Sequence, residues 1–91
     1  MEMNSKVIAG IDYSTSSPCI CINVGDDYDF HYLTKVKKLA EYSESDKCSF
    51  SGTLLPKTKD FLSKTHQYAF IMNWAMEVLD KYDIDHVWLE D

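Results

Sequence analysis

Apolar positions in this chain fall into short, closely spaced runs at the start, thin out in the middle, and return as one helical repeat before a last short run. Lys6 to Asp12 reads Lys-Val-Ile-Ala-Gly-Ile-Asp, apolar on both alternating faces, which predicts a strand covered on both sides, as at the centre of an α/β sheet. Tyr13-Ser14-Thr15-Ser16-Ser17-Pro18 is dense in turn formers. Cys19 to Val24 is β-rich again, and Gly25-Asp26-Asp27 marks a tight turn. Asp29 to Val36 then gives a third strand with Phe30, Tyr32, Thr34 and Val36 on one face. Connections this short predict antiparallel hairpins.

From Lys37 to about Lys59 the pattern dissolves into Ser, Lys, Glu, Asp and Gly with scattered aromatics. Residues 37–59 are therefore expected to form a long loop, with a turn of helix near Lys38 to Tyr42; such loops are uncommon in compact domains and are often functional. A helix is predicted from about Ser63 to Tyr82. Tyr68, Ile71, Met72, Ala75, Leu79 and Tyr82 would form its apolar face, Gln67, Asn73, Glu77 and Lys81 its polar one, and Ser63 or Thr65 its cap. Asp83-Ile84-Asp85 ends it, and His86-Val87-Trp88-Leu89-Glu90 makes a fourth strand.

The predicted order is β-β-β-α-β, an α/β fold in which the crossover helix lets the fourth strand run parallel to the first. Strands apolar on both faces need cover on both sides of the sheet, and one helix covers one side. The 91 residues thus read as a single domain, 1–91, that is incomplete by itself.

Composition narrows the class. An apolar fraction of 45% and an aromatic fraction of 13% belong to a globular protein. No apolar run approaches the roughly 20 residues of a membrane span, and the first residues lack a secretory layout, so a soluble, cytoplasmic protein with no membrane partner is expected. Cys19, Cys21 and Cys48 have neither disulfide-framework nor zinc-ligand spacing and read as small, buried strand residues. A net charge of −6 argues against simple electrostatic capture of nucleic acid. The lysines are unevenly spread, however, with Lys35, Lys37 and Lys38 in one group and Lys57, Lys59 and Lys64 in another.

Asp12 ends the first strand and Glu90 the fourth. Either alone reads as a turn or end carboxylate. On parallel neighbouring strands the two would emerge together at the carboxyl edge of the sheet, where α/β folds place ligands. Converging carboxylates form a hard oxygen site for Mg²⁺ or Mn²⁺, and two such ions can drive phosphodiester cleavage. Asp91, next along, should fall on the opposite face and is a secondary metal candidate.

Val7-Ile8-Ala9-Gly10-Ile11-Asp12-Tyr13-Ser14, followed by a second apolar strand, resembles the opening of RuvC-like Holliday-junction resolvases. The helix and Asp85-His86-Val87-Trp88-Leu89-Glu90 resemble that family's helix and the strand bearing its second acid. Gly10-Ile11-Asp12-Tyr13-Ser14 with Ser17-Pro18 is similar to small resolvase-like proteins of bacteriophages. The resemblance implies the N-terminal half of a ribonuclease H-like domain and a Mg²⁺-dependent endonuclease on branched DNA. It further implies a homodimer or a chain completed by a partner, with Asp12 and Glu90 as catalytic, metal-binding acids. Ser14, Lys35, Lys37 and Lys38 would be the groups nearest DNA. The family's remaining acids come from a later helix, so these 91 residues alone are expected to be inactive or nearly so.

Two other classes share parts of the pattern. Actin-like ATPases and sugar kinases also open with a Gly-Ile-Asp strand and a hydroxyl-rich turn, though they place glycine in that turn, and here none lies between Gly10 and Gly25. A non-catalytic binding or inhibitory module would use an uncovered sheet face or edge instead.

Overall fold

The computed structural model describes residues 6–14 and 17–90, except the side chains of Thr58 and Glu90. Among these residues the chain is a mixed α/β fold, a six-stranded mixed sheet with one long helix. The strands are β1 (Val7–Asp12), β2 (Cys19–Val24), β3 (Asp27–Thr34), β4 (Tyr42–Ser45), β5 (Cys48–Leu54) and β6 (His86–Glu90), and the helix is α1 (Lys64–Asp80). Their order across the sheet is β4-β5-β3-β2-β1-β6.

The first three strands form the expected antiparallel meander. Val24 pairs with Asp27 across the loop Gly25-Asp26, and Gly25 has φ 61°, at the first central position, which a type II′ hairpin reserves for glycine. Asn23 secures the turn by donating from its side-chain amide to the carbonyls of Gly25 and Asp27, at 3.0 and 3.1 Å. β6 lies parallel to β1, as the crossover through α1 requires.

Residues 37–59 differ from the expected loop. Lys37–Leu39 is a 3-10 turn, and β4 and β5 form a hairpin whose second strand adds parallel to β3. The period of two is present in β5: Cys48, Phe50, Gly52 and Leu54 alternate with Ser49, Ser51 and Thr53. With hydroxyl residues on one face and a glycine on the other, the alternation has little hydropathy contrast, which is why the segment reads as a loop. The third strand also ends at Thr34, two residues before Val36, whose amide donates to Thr34 Oγ1.

The helix starts where Ser63 caps it, the Ser63 hydroxyl accepting from the His66 amide at 3.1 Å. Its buried stripe is Gln67, Ile71, Trp74, Ala75 and Val78. Tyr68 and Met72, expected inside, are about half exposed, so the inward face is rotated toward Trp74. Burying Trp74 removes more apolar surface than burying Met72, and that area sets the rotation. Trp74 and its neighbours meet Ala9, Ile11, Ile20, Ile22, Leu33 and Leu55 in one core cluster.

All of this core lies on one face of the sheet. The other face carries Gly10, Cys19, Cys21, Phe30, Phe50 and Trp88, with no helix over it among the described residues. Phe30 and Phe50 stack there at 5.2 Å with planes 9° apart, and Tyr28 continues the row 6.3 Å from Phe30. Sequence reading placed the three cysteines in the interior; all are free thiols and only half-buried. Their face lacks the cover that would bury them.

Candidate functional site

Val7 and Asp85 set the register that matters most. The Asp85 amide donates to the Val7 carbonyl at 2.8 Å, and the Val7 amide donates back to Asp85 Oδ2 at 2.8 Å. From this anchor β1 and β6 advance side by side, Ile8 with His86 and Gly10 with Trp88, until Asp12 stands opposite Glu90. The two acids singled out from the sequence therefore occupy paired positions at the carboxyl ends of parallel strands. Asp12 is exposed.

On its other side Asp12 pairs with Cys19 of β2. Gly10, Asp12, Cys19, Cys21 and Trp88 line an open groove of about 430 Å³. Glycine and two cysteines keep its floor low, while Trp88, 64% exposed, forms a wall. Burial, and secondarily the carboxylate of Asp12, push the Cys19 thiol above its usual range, so it is a protonated thiol at neutral pH.

No set of three or more His, Cys, Asp or Glu side chains converges to hold a metal among the described residues. Oxygen donors of two paired carboxylate positions suit a hard divalent cation, with the other coordination places left to water or phosphate. Asp91 lies outside the described residues.

The DNA-contact candidates gather at the same edge. β1, β3, β5 and β6 run in one direction, so their carboxyl ends share one side of the sheet. Lys35, Lys37 and Lys38 follow β3 directly and are exposed, and Lys57 and Lys59 follow β5 and are exposed. The opposite edge carries Asp26, Asp46, Asp83 and Asp85 in turns and at the start of β6. The negative net charge is therefore unevenly distributed. Ser14 follows β1, and its hydroxyl accepts from the Ser17 amide at 3.2 Å, a turn-closing role.

Comparison with protein-family models, curated proteins and solved structures finds no match for this chain.

A second polar cluster escaped the sequence reading. Tyr82, just beyond α1, donates its hydroxyl to Asp29 Oδ2 at 2.9 Å, and Ser49 donates to Asp29 Oδ1 at 2.6 Å. With its proton so committed, the Tyr82 oxygen accepts from His31 Nε2 at 2.7 Å, which fixes the neutral imidazole as the Nε2–H tautomer. Burial, then the Asp29 carboxylate, raise the Tyr82 pKa far above the ordinary phenol value. Burial, then Lys81, lower that of His31, while Asp29 opposes them. The cluster lies just past the end of α1, on the face opposite Asp12's groove. Asp29 and His31 alternate with Phe30 and Tyr32, so the period of two is present in the sequence, but it does not say which of the two faces turns toward the helix.

Proposed function

We propose that this chain is the acid-bearing N-terminal half of a ribonuclease H-like, RuvC-type endonuclease that binds Mg²⁺ or Mn²⁺ and acts on branched DNA. The observation that carries the reading is the pairing of Asp12 with Glu90 at the ends of parallel β1 and β6. The antiparallel β1–β3, the crossover helix α1 and β6 parallel to β1 follow the order that the resemblance implies, with the β4-β5 hairpin inserted between β3 and α1. The exposed lysines at the same edge offer phosphate contacts that the net charge of −6 conceals.

In this reading Asp12 and Glu90 hold the cation, and Ser14, Lys35, Lys37 and Lys38 lie toward the DNA backbone. The bound cation supplies water activation and stabilisation of the leaving oxygen. The carboxylates' own task is to fix it at the strand ends. With only these two acids, junction cleavage by the 91 residues is expected to be negligible.

Binding of Mn²⁺, followed by electron paramagnetic resonance, separates the acids' role from turnover. Losing even an outer-sphere partner of a metal site typically costs 10–100-fold in affinity, so loss of a direct ligand should cost at least about tenfold. Asp12→Asn and Glu90→Gln should each weaken Mn²⁺ binding by that much while leaving the circular dichroism spectrum unchanged. Mn²⁺ affinity in both variants unchanged from the parent chain's would sink the metal reading.

The open apolar face favours one further reading, a non-catalytic module completed by a protein partner. Under it, both substitutions leave partner capture intact.

A further inference from the structure

β3, β5 and β4 carry a polar surface on the helix side of the sheet, past the end of α1. Strand register sets it out in two rows. Asp29, Ser49 and Glu44 stand side by side in one, and His31, Ser51 and Tyr42 in the next. With Tyr82 leaning in from the chain after α1, they enclose an open groove of about 450 Å³, large enough for a small ligand. Ser49 and Ser51 keep its floor low. His31, Asp29 and Tyr82 make one wall, and Tyr42 with Glu44 the other.

The hydroxyl protons of this groove are largely committed. Ser49 and Tyr82 donate to the two oxygens of Asp29, and Tyr42 donates to Glu44 Oε2 at 3.1 Å. What these groups leave to the groove is lone pairs. His31 adds another. It is only 9% exposed, lines the groove, and uses Nε2 in its hydrogen bond to Tyr82. Its Nδ1 has no partner among the described residues, where no buried polar side-chain atom goes unpaired, so Nδ1 is reached from the groove. In the Nε2–H tautomer that nitrogen can only accept. Charge has the same sense. The charged side chains lining the groove are Asp27, Asp29 and Glu44 against Lys47, whose ammonium lies 3.9 Å from Asp26.

We infer that this groove binds a guanidinium group, the planar five-donor cation of an arginine side chain. Its N–H groups meet His31 Nδ1 and the remaining lone pairs of Asp29 and Glu44, and Tyr42, 62% exposed, offers a ring face to its plane. A bare metal ion fits less well. Asp29 and Glu44 are rooted two strand spacings apart, about 9–10 Å, and no three His, Cys, Asp or Glu side chains converge among the described residues. A planar cation with donors on every edge reaches both walls. The groove lies on the face opposite Asp12, so its ligand is independent of the nuclease reading.

Titration calorimetry, together with the imidazole ¹⁵N resonances of His31, tests the site in the 91-residue chain. The probes are N-acetyl-arginine methylamide and n-butylguanidinium. Binding with a dissociation constant of about 1 mM is expected, with the Nδ1 resonance moving as its lone pair accepts. N-acetyl-citrulline methylamide, of the same shape but neutral, should show no binding. Glu44→Gln should weaken both guanidinium probes about fivefold. Asp60→Asn, which removes the same charge at the carboxyl edge, should leave the affinity at the parent value, as should Asp12→Asn. Tighter binding of the blocked arginine would place the guanidinium on a polypeptide, and tighter binding of n-butylguanidinium on a free small ligand. No binding of either probe at about 20 mM would overturn the inference. So would a Glu44→Gln affinity equal to the parent's, or an Asp60→Asn loss as large as that of Glu44→Gln, since net charge alone would then draw the cation.

Discussion

Lys47 adopts φ 63° in the Asp46-Lys47 turn between β4 and β5, a left-handed conformation that costs a non-glycine residue about 1–2 kcal/mol. Its ion pair with Asp26, 3.9 Å long between side chains 58% and 88% exposed, is worth a few tenths of a kcal/mol at most. The strain outweighs the pair. Lys47→Gly should therefore raise stability by about 0.5–1 kcal/mol, read as a higher urea midpoint at unchanged slope; a lower midpoint would show that the ion pair dominates. Gly52 is the converse case. A methyl group there would overlap the Leu39 carbonyl oxygen and the Tyr32 ring, which is tied down by its hydroxyl donating to that same carbonyl at 2.8 Å. Gly52→Ala should cost about 1–3 kcal/mol, whereas at Gly10 nothing lies within 4 Å of the added methyl and the change should be nearly neutral. Both are strand glycines, and nothing in their local sequence separates them. The difference comes from the chain after β3 folding back over β5, which only the three-dimensional structure shows.

At the level of elements, the strands with strong hydropathy contrast were legible and those without it were not. β1, β2 and β6 coincide with their apolar runs to within a residue, and Ser63 marks the helix start. β5 was missed because Ser49, Ser51 and Thr53 carry little contrast against Cys48 and Gly52. The helix was found but its face was rotated, since choosing Tyr68 and Met72 left out Trp74 and Val78. In β3 the alternation gave the two faces but not their direction: its aromatics face the open side, while Asp29, His31 and Leu33 face the helix. Such a polar inward face needs partners, and Tyr82 supplies them by linking β3 to the end of α1. That link has a pH signature. Burial lowers the His31 pKa, so the folded state prefers the neutral imidazole. Below the unfolded value of about 6.5 the unfolded chain takes up a proton that the folded chain refuses, and stability falls as pH drops toward the folded pKa. His31→Gln keeps a donor for Tyr82 but cannot titrate. Its urea midpoint should change less between pH 8 and 5.5 than that of the parent, and an identical change in both would remove His31 from the explanation.

Across the whole molecule, strand direction converts scattered residues into a polarised object. The paired acids were legible from the sequence because each ends an apolar run, and the parallel crossover needed only the helix between them. Their relation to the lysines was not legible, because it depends on β5 lying parallel to β3 and carrying Lys57 and Lys59 to the edge that Lys35, Lys37 and Lys38 occupy. A chain with a net charge of −6 approaches DNA against its overall field, so any binding must be local and steeply screened. Each lysine that neutralises one phosphate adds about 0.9 to the slope of log affinity against log salt concentration on duplex arms. With a four-way junction in Ca²⁺, Lys37→Ala combined with Lys38→Ala should weaken binding and flatten that slope by about 2. Lys47, which sits at the opposite edge beside Asp26, serves as the control, and Lys47→Ala should leave the slope unchanged. Equal effects from the two edges would mean that the lysines act only through net charge. An effect confined to Lys37 and Lys38 would place the DNA backbone along the carboxyl edge, within reach of Asp12 and Glu90.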